Sequence, residues 1–417
     1  MYSLVDGNSF YASCEKIFRP DWVRRPVVVL SNNDGCVVAR CKIAKEAGVP
    51  DLVPYFQVKA QLKRINAVVC SSNYELYGDI SQRMMTVLGR HCGRVEVYSI
   101  DEAFLQLPST TTDYNALGKH IKEDVFQCVR MPVCVGTAPT KTLAKLANRI
   151  AKKMPRLDGV CTLDTPEKWE WVLKRTKTGD VWGIGRRISA RLAEMGIHTA
   201  LELAQSNPKD IRRKFSVVVE RTLRELNGES CIPLEEDPEP KKEIICSRSF
   251  SKKIYDSNEL QQAVASYAAN ACEKLRAQGS LTATLQVYVL SNRFSGNYYQ
   301  NQYTIKLDHY TNDTITIASA ARKAAAGMFR PDTPFHKCGI ALLDLREHTP
   351  EQLNVFGEHQ SEKSRTLMST LDSINKKFGR GSLALASQGI DPDWAMIRKM
   401  QSPCYTTRWS DIPVVKC

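Results

Sequence analysis

Three carboxylates at the margins of apolar runs constrain this chain most: Asp6, closing YSLVD, and the adjacent pair Asp101 and Glu102 inside YSIDEAFL. Val95, Val97 and Ile100 lead into the pair and Ala103, Leu105 and Leu107 lead out, which predicts two strands meeting at a hairpin tip. Carboxylates packed beside a sheet resist ionising unless a cation neutralises them, and no base close in sequence supplies that charge. Hard divalent ions such as Mg2+ take oxygen ligands from one or two carboxylates and complete their shell with substrate phosphates. The pattern therefore points to phosphoryl transfer on a nucleotide. Asp6 and Asp101 would bridge two ions roughly 4 Å apart, with Glu102 completing the site that activates a 3′-hydroxyl. Turn acids that merely cap helices are the plainer alternative, but three such acids on apolar strands favour the joint reading.

Length and charge narrow the partners. A chain of 417 residues has room for about three domains, and a net charge of +13 favours a polyanion. No apolar run is long enough to span a bilayer, and neither end carries a lipidation signature or signal peptide, so no membrane partner and a cytoplasmic location are expected. The fourteen cysteines are scattered without a Cys-x-x-Cys, which suits reduced thiols better than disulfides or structural zinc.

Phe10, Cys14 and Ile17 recur at helical spacing straight after Asp6 and predict a first helix with Tyr11 on its flank. PVVVL and CVVAR bracket a turn at 31–35 and predict a hairpin. A helix near 114–128, a strand at 131–138 and then TKTLAKLANRIAKK follow the acidic pair. In that last run Leu143, Leu146, Ala147 and Ile150 form one face while Lys141, Lys145, Arg149 and Lys152 lie elsewhere. The alternation predicts an α+β fold, an antiparallel or mixed sheet with helices on one face. A helix-turn-helix unit opens near Lys168, with Ile188, Leu192 and Met195 as its stripe, Gly196 as a C′ residue and Thr199 with Glu202 as a capping box. PLEEDPEPKKE lacks periodicity and reads as a linker. Beyond it, strand, helix, strand, strand, helix, strand form a split βαβ pattern. From about Glu351 the patterning weakens, and the end reads as a partly extended tail.

Several side chains could serve the chemistry. Tyr11, on the first turn after Asp6, could lie under a nucleotide sugar and collide with a 2′-hydroxyl; packing in the core is its other role. Arg40, Lys45 and Lys152, with Lys42 behind them, could offset triphosphate charge or simply form solvated helix faces. Gly183 and Gly185, followed by Arg186 and Arg187, suit a turn whose N–H groups meet a DNA phosphate, or a plain helical hairpin. Gln352, Leu353 and Phe356 in QLNVF could dock in a partner's groove or fold back on the chain.

LVDGNSFYASCE, SNNDGCVVAR, SSNYELY, YSIDEAF, TKTLAKLAN, VWGIGRRIS, CSRSF and QLNVF together resemble the UmuC branch of the Y-family translesion DNA polymerases, nearly end to end. The resemblance implies a right-hand polymerase with a catalytic palm at 1–20 and 79–167 and small fingers at 21–78. A helical thumb with a helix-hairpin-helix would occupy 168–232 and a linker 233–242. A C-terminal split βαβ little-finger domain would fill 243–350, and a tail with a clamp-binding motif 351–417. It implies that Asp6, Asp101 and Glu102 are catalytic acids and metal ligands for two Mg2+ ions and that Tyr11 is a steric gate. Lys45 and Lys152 match triphosphate contacts. Asn8 stands where many members carry another acid and is not counted as a ligand, and Lys42 with Ile43 departs from the Ala-Glu expected in this branch. Implied partners are primer–template DNA, dNTP, a UmuD-type cleaved dimer, RecA and the sliding clamp.

The expected activity is error-prone translesion synthesis: template-directed addition of dNMP from dNTP to a primer 3′-hydroxyl opposite damaged bases, in the SOS response and on the nucleoid. A two-metal nuclease and a non-catalytic damage-response scaffold are the alternatives.

Overall fold

The computed structural model describes residues 1–108, 110–236, 239–294, 296–347, 360–390 and 392–414. The chain forms two compact units, Met1–Pro238 with Arg398–Cys417, and Glu239–Ile397. The division falls inside the stretch expected to be a linker.

The first unit begins with β1 (Tyr2–Gly7), α1 (Phe10–Ile17), the hairpin β2 (Val27–Leu30) and β3 (Val37–Arg40), then α2 (Lys42–Glu46), α3 (Tyr55–Arg64), β4 (Val68–Ser71) and α4 (Tyr74–Leu88). It continues through β5 (Arg94–Val97), β6 (Glu102–Gln106), α5 (Tyr114–Val129), β7 (Val133–Ala138), α6 (Lys141–Lys153) and β8 (Val160–Thr162). Among the described residues β5-β6-β1-β7-β8 form a five-stranded sheet, antiparallel except for β7 with β8, and β3-β2-β4 form a separate three-stranded sheet.

Helices cover both faces of the larger sheet, not one as the alternation suggested. Val5, Ala103, Leu105, Val133 and Val135 join a core with α1, α4 and α5. Their strand neighbours Leu4, Phe104, Cys134 and Ala138 join another with α6. Successive strand residues point to opposite faces, so a strand apolar at nearly every position needs cover on both. Gly136 lets α6 approach β7 closely: a Cβ there would lie 2.1 Å from the Asn148 nitrogen and 2.5 Å from the Ala144 oxygen. Asn148 in turn donates to the Leu4 and Cys134 carbonyls at 3.1 and 2.7 Å, tying α6 to two strands.

A helical group follows: α7 (Pro166–Leu173), α8 (Arg186–Glu194), α9 (Ala200–Ala204), α10 (Pro208–Lys214) and α11 (Val217–Leu226). Thr199 and Glu202 form the capping box of α9, and Gly196 takes a φ of 78°. The expected stripe holds only in part. Leu192 is fully buried, whereas Met195 lies beyond the end of α8 and is exposed.

The second unit runs β9 (Ile244–Ile254), α12 (Ser257–Ala277), β10 (Ser280–Ser291), β11 (Gln300–Thr311), α13 (Thr314–Met328), β12 (Phe335–Leu343) and β13 (Arg346–Glu347), with β13 pairing β10. Its sheet order is β11-β10-β12-β9. β12 lies between β9 and β10, and β10 between β11 and β12, so each helix crossover spans an inserted strand, the split βαβ arrangement. Residues 351–417, expected to trail off, contain α14 (Glu362–Phe378) in their described part. Its weak pattern has a cause: Met368 is the one residue of the helix that is buried, too little for an apolar stripe.

Candidate active site

Strand pairing makes neighbours of acids almost a hundred residues apart. Asp6 is the register partner of Glu102, and the Gly7 N–H donates to the Asp101 carbonyl at 2.8 Å. Ser99 shapes the tip between β5 and β6. Its hydroxyl donates to Asp101 Oδ1 at 2.6 Å and accepts from the N–H groups of Asp101 and Glu102 at 3.2 and 3.0 Å.

The adjacent acids part company at the start of β6. Glu102 and Asp6 both face lysines of α6, whereas Asp101, in the bend before β6, lines a cavity with Phe10 and Tyr11 of α1. A cavity of about 330 Å³ is lined by Asp6, Asp101, Tyr11, Arg40, Lys45 and Lys152. A neighbouring one of about 420 Å³ is lined by Asp6, Glu102, Lys145, Arg149 and Lys152. Asp6 and Lys152 line both cavities, so Asp6 stands between Asp101 on one side and Glu102 on the other. Among the described residues no group of three or more His, Cys, Asp or Glu is placed to hold a metal ion.

The charge that local sequence could not supply comes from α6. Lys152 Nζ lies 2.5 Å from Asp6 Oδ2 and Lys145 Nζ 2.9 Å from Glu102 Oε2. Burial pushes the Asp6 carboxyl up to about 7; the Lys152 charge pulls it back and the hydrogen bond to Glu102 adds to the rise. For Glu102 burial also opposes ionisation, but Asp6, Lys145 and Lys152 outweigh it and hold the carboxyl below its ordinary range. The two carboxyls titrate as a pair, with Glu102 the more readily ionised member. A buried carboxylate already held against an ammonium, with a second carboxylate across an open cavity, is an all-oxygen donor set suited to a hard divalent cation that finds its remaining ligands on a substrate.

Around that cavity Tyr11 stacks on Tyr77, ring centroids 4.6 Å apart and planes 18° apart, and meets the edge of Tyr74 at 6.2 Å. Lys45 donates to Ser9 Oγ at 2.9 Å, beside a Ser9 backbone held at φ 49°. Arg40 lines the cavity but is already engaged, donating to the Val49 carbonyl at 2.6 Å and pairing with Asp51 at 3.0 Å. Lys42 is exposed and faces Glu46 at 3.9 Å. Gly183 has a φ of 84° in the turn before α8, and Gly185 is the N-cap of that helix. Arg186 and Arg187 are exposed on its first turn. Arg191 is taken up by the Lys214 carbonyl and the Phe215 ring. Gln352, Leu353 and Phe356 lie outside the described residues.

Lys145 and Asn148 belong to the site yet were not singled out as site residues. The signal existed for the lysine: Lys145 and Lys152 are seven residues apart, two turns along one helical face. Asn148 left no such trace, because its partners are carbonyls that only the folded sheet brings to it.

Residues 5–149 match the impB/mucB/samB family and residues 241–355 its C-terminal domain. The chain is 46% identical to Protein UmuC of Salmonella typhimurium over 422 residues, covering all of both chains. The chain belongs to the UmuC branch of the Y-family DNA polymerases. It is also 42% identical to Protein MucB of Escherichia coli over 99% of both, and 26% identical to DNA polymerase IV 1 of Bacillus subtilis over 90% of both. A solved Y-family DNA polymerase chimera of Dbh and Dpo4 matches with a TM-score of 0.66 at 20% identity, covering 83% of this chain and 99% of that one. Residues 365–415 match a domain of unknown function. This UmuC-family chain is a DNA-directed DNA polymerase of error-prone translesion synthesis with the right-hand α+β architecture, and its class depends on divalent metal. The nuclease and scaffold alternatives fall with that membership. Among the described residues no helix is long and apolar enough to cross a membrane.

Proposed function

We propose that the cavity beside Asp6 is where this polymerase joins dNTP to a primer 3′-hydroxyl, with Asp6 and Asp101 holding two Mg2+ ions and Glu102 as the third catalytic acid. The observation that carries this is the shared cavity of Asp6 and Asp101, rimmed by an aromatic ring and three basic side chains. When bound, the ions offset phosphate charge and favour the alkoxide form of the 3′-hydroxyl. Lys45, Lys152 and Arg40 bind and orient the triphosphate, Lys152 leaving Asp6 to do so. The Tyr11 ring excludes a 2′-hydroxyl by contact. Gly183, Gly185, Arg186 and Arg187 hold the DNA backbone without reading its bases.

Residues 1–20 and 79–167 act as palm, 21–78 as fingers, 168–232 as thumb and 243–350 as little finger. A UmuD-type cleaved dimer, RecA and, through Gln352, Leu353 and Phe356, the sliding clamp are the proposed partners of cytoplasmic, nucleoid-associated work in the SOS response. Primer extension across an abasic site tests the acids: Asp101→Ala should abolish dNMP addition, and surviving activity would overturn the assignment. In the same assay Tyr11→Ala should raise ribonucleotide insertion on the order of 10-fold or more; unchanged sugar selection would remove the gate.

A further inference from the structure

The chain leaves the first unit at Pro238 and returns to it at Arg398, and the returning segment is bonded in, not draped over. Ser71, at the end of β4, donates its N–H to the Met400 carbonyl at 2.9 Å, while the Met400 N–H donates to Ser71 Oγ at 2.9 Å. The Lys399 N–H reaches Asp34 Oδ2 at 3.1 Å. Asn73, fully buried, donates through Nδ2 to both the carbonyl and the hydroxyl of Ser402 at 3.0 Å. Its Oδ1 accepts from Gln401 at 3.3 Å and from the Leu76 N–H at 3.3 Å, so one side chain both caps α4 and holds the segment. Arg398 pairs with Glu75 at 2.8 Å, Tyr405 stacks on Phe18, the C-cap of α1, at 4.8 Å, and the Cys404 N–H to Asp411 contact at 2.8 Å closes the segment on itself.

The contacts of Asn73 and Glu75 hold the start of α4, and the first turn of that helix carries Tyr74 and Tyr77, the two rings packed on Tyr11. Tyr77 is tied to α1 as well, its hydroxyl donating to the buried Glu15 at 2.6 Å. Segment, α4 terminus and α1 are thus one packed layer whose far edge is the Tyr11 ring at the cavity. Ring position matters there, because rejection of a 2′-hydroxyl is a steric difference that a small displacement erases.

We propose that the segment Arg398–Asp411 is a brace for the sugar gate, a specificity-determining element that holds the first turn of α4 and thereby the Tyr11 ring. This rests on Tyr11 being the gate. It also gives a role to the last part of the stretch matching the domain of unknown function.

The test is single-nucleotide insertion opposite an undamaged template base, reading the ratio of kcat/KM for a dNTP to that for the matching rNTP. The full chain is compared with a chain ending at Ile397, with the double variant Arg398→Ala, Tyr405→Ala, and with Tyr11→Ala. The truncation should lower the ratio on the order of 10-fold, mainly by improving rNTP use, and a synthetic peptide of residues 398–414 should restore it. The double variant should lower the ratio less, and it serves as the readout if the truncated chain fails to give a cooperative melt. A parallel loss of dNTP and rNTP efficiency, or an unchanged ratio, would overturn the brace while Tyr11→Ala still lowers the ratio. An unchanged ratio in Tyr11→Ala would remove the gate itself, and the brace with it.

Discussion

Glu15 shows how far one buried acid can be displaced from its solution behaviour. Burial pushes its carboxyl up from an ordinary 4.5, with Tyr77, Ser402 and Cys70 pulling it partly back. Above about pH 4.5 the folded protein therefore holds a proton that the unfolded chain has released, and stability falls as pH rises through this window. Glu15→Gln keeps an acceptor for the Tyr77 hydroxyl and removes the titration. Its melting temperature relative to the parent should climb as pH rises above about 4.5; a gap that stays constant with pH would rule out Glu15 as the source. Asp6 was singled out in the sequence for its apolar setting, but Glu15 was not. A Glu inside a helix reads as solvent-facing until α4 is seen to close over it.

At the scale of elements, α6 decides whether the acids have counter-charges at all. Its distance from the sheet depends on Gly136, and its register on the two carbonyl contacts of Asn148. Asn148→Ala leaves both carbonyls without that donor and should cost about 1–3 kcal/mol in denaturant unfolding. A value near zero would show that other contacts hold the helix. The start of α9 offers a gentler case: Thr199→Ala removes a capping-box acceptor and should cost about 1 kcal/mol without altering nucleotide selection. The box was legible from Thr199 and Glu202 because capping is local chemistry. The stripe of α8 was only partly legible, because its last member falls past the helix end.

For the whole molecule, the second unit has a core of its own, running from Ile244 to Leu342 and including Trp394, which packs against Phe250 and Tyr267. Separate cores predict separate cooperativity. Calorimetry should resolve two transitions, and a fragment of residues 239–397 should melt at one of them. A single transition in the full chain, together with an unfolded fragment, would contradict that independence. The stretch from 233 to 236 is less free than its composition suggested: Lys141 donates to the Pro233 carbonyl, the Glu235 N–H donates to Glu96, and Arg94 pairs with Glu236.

By itself the sequence determined the acids at the strand ends, the α+β alternation, the split βαβ unit and the family, because periodicity, turn chemistry and contiguous motifs are all local in the chain. Tertiary structure decided the rest. It placed helices on both sheet faces, set Asp101 and Glu102 in different cavities, brought Lys145 and Lys152 to the acids, and returned residues 398–411 to the first turn of α4. Each of these depends on which distant segments share a surface, and burial, charge pairing and hydrogen bonding settle that only once the chain has closed on itself.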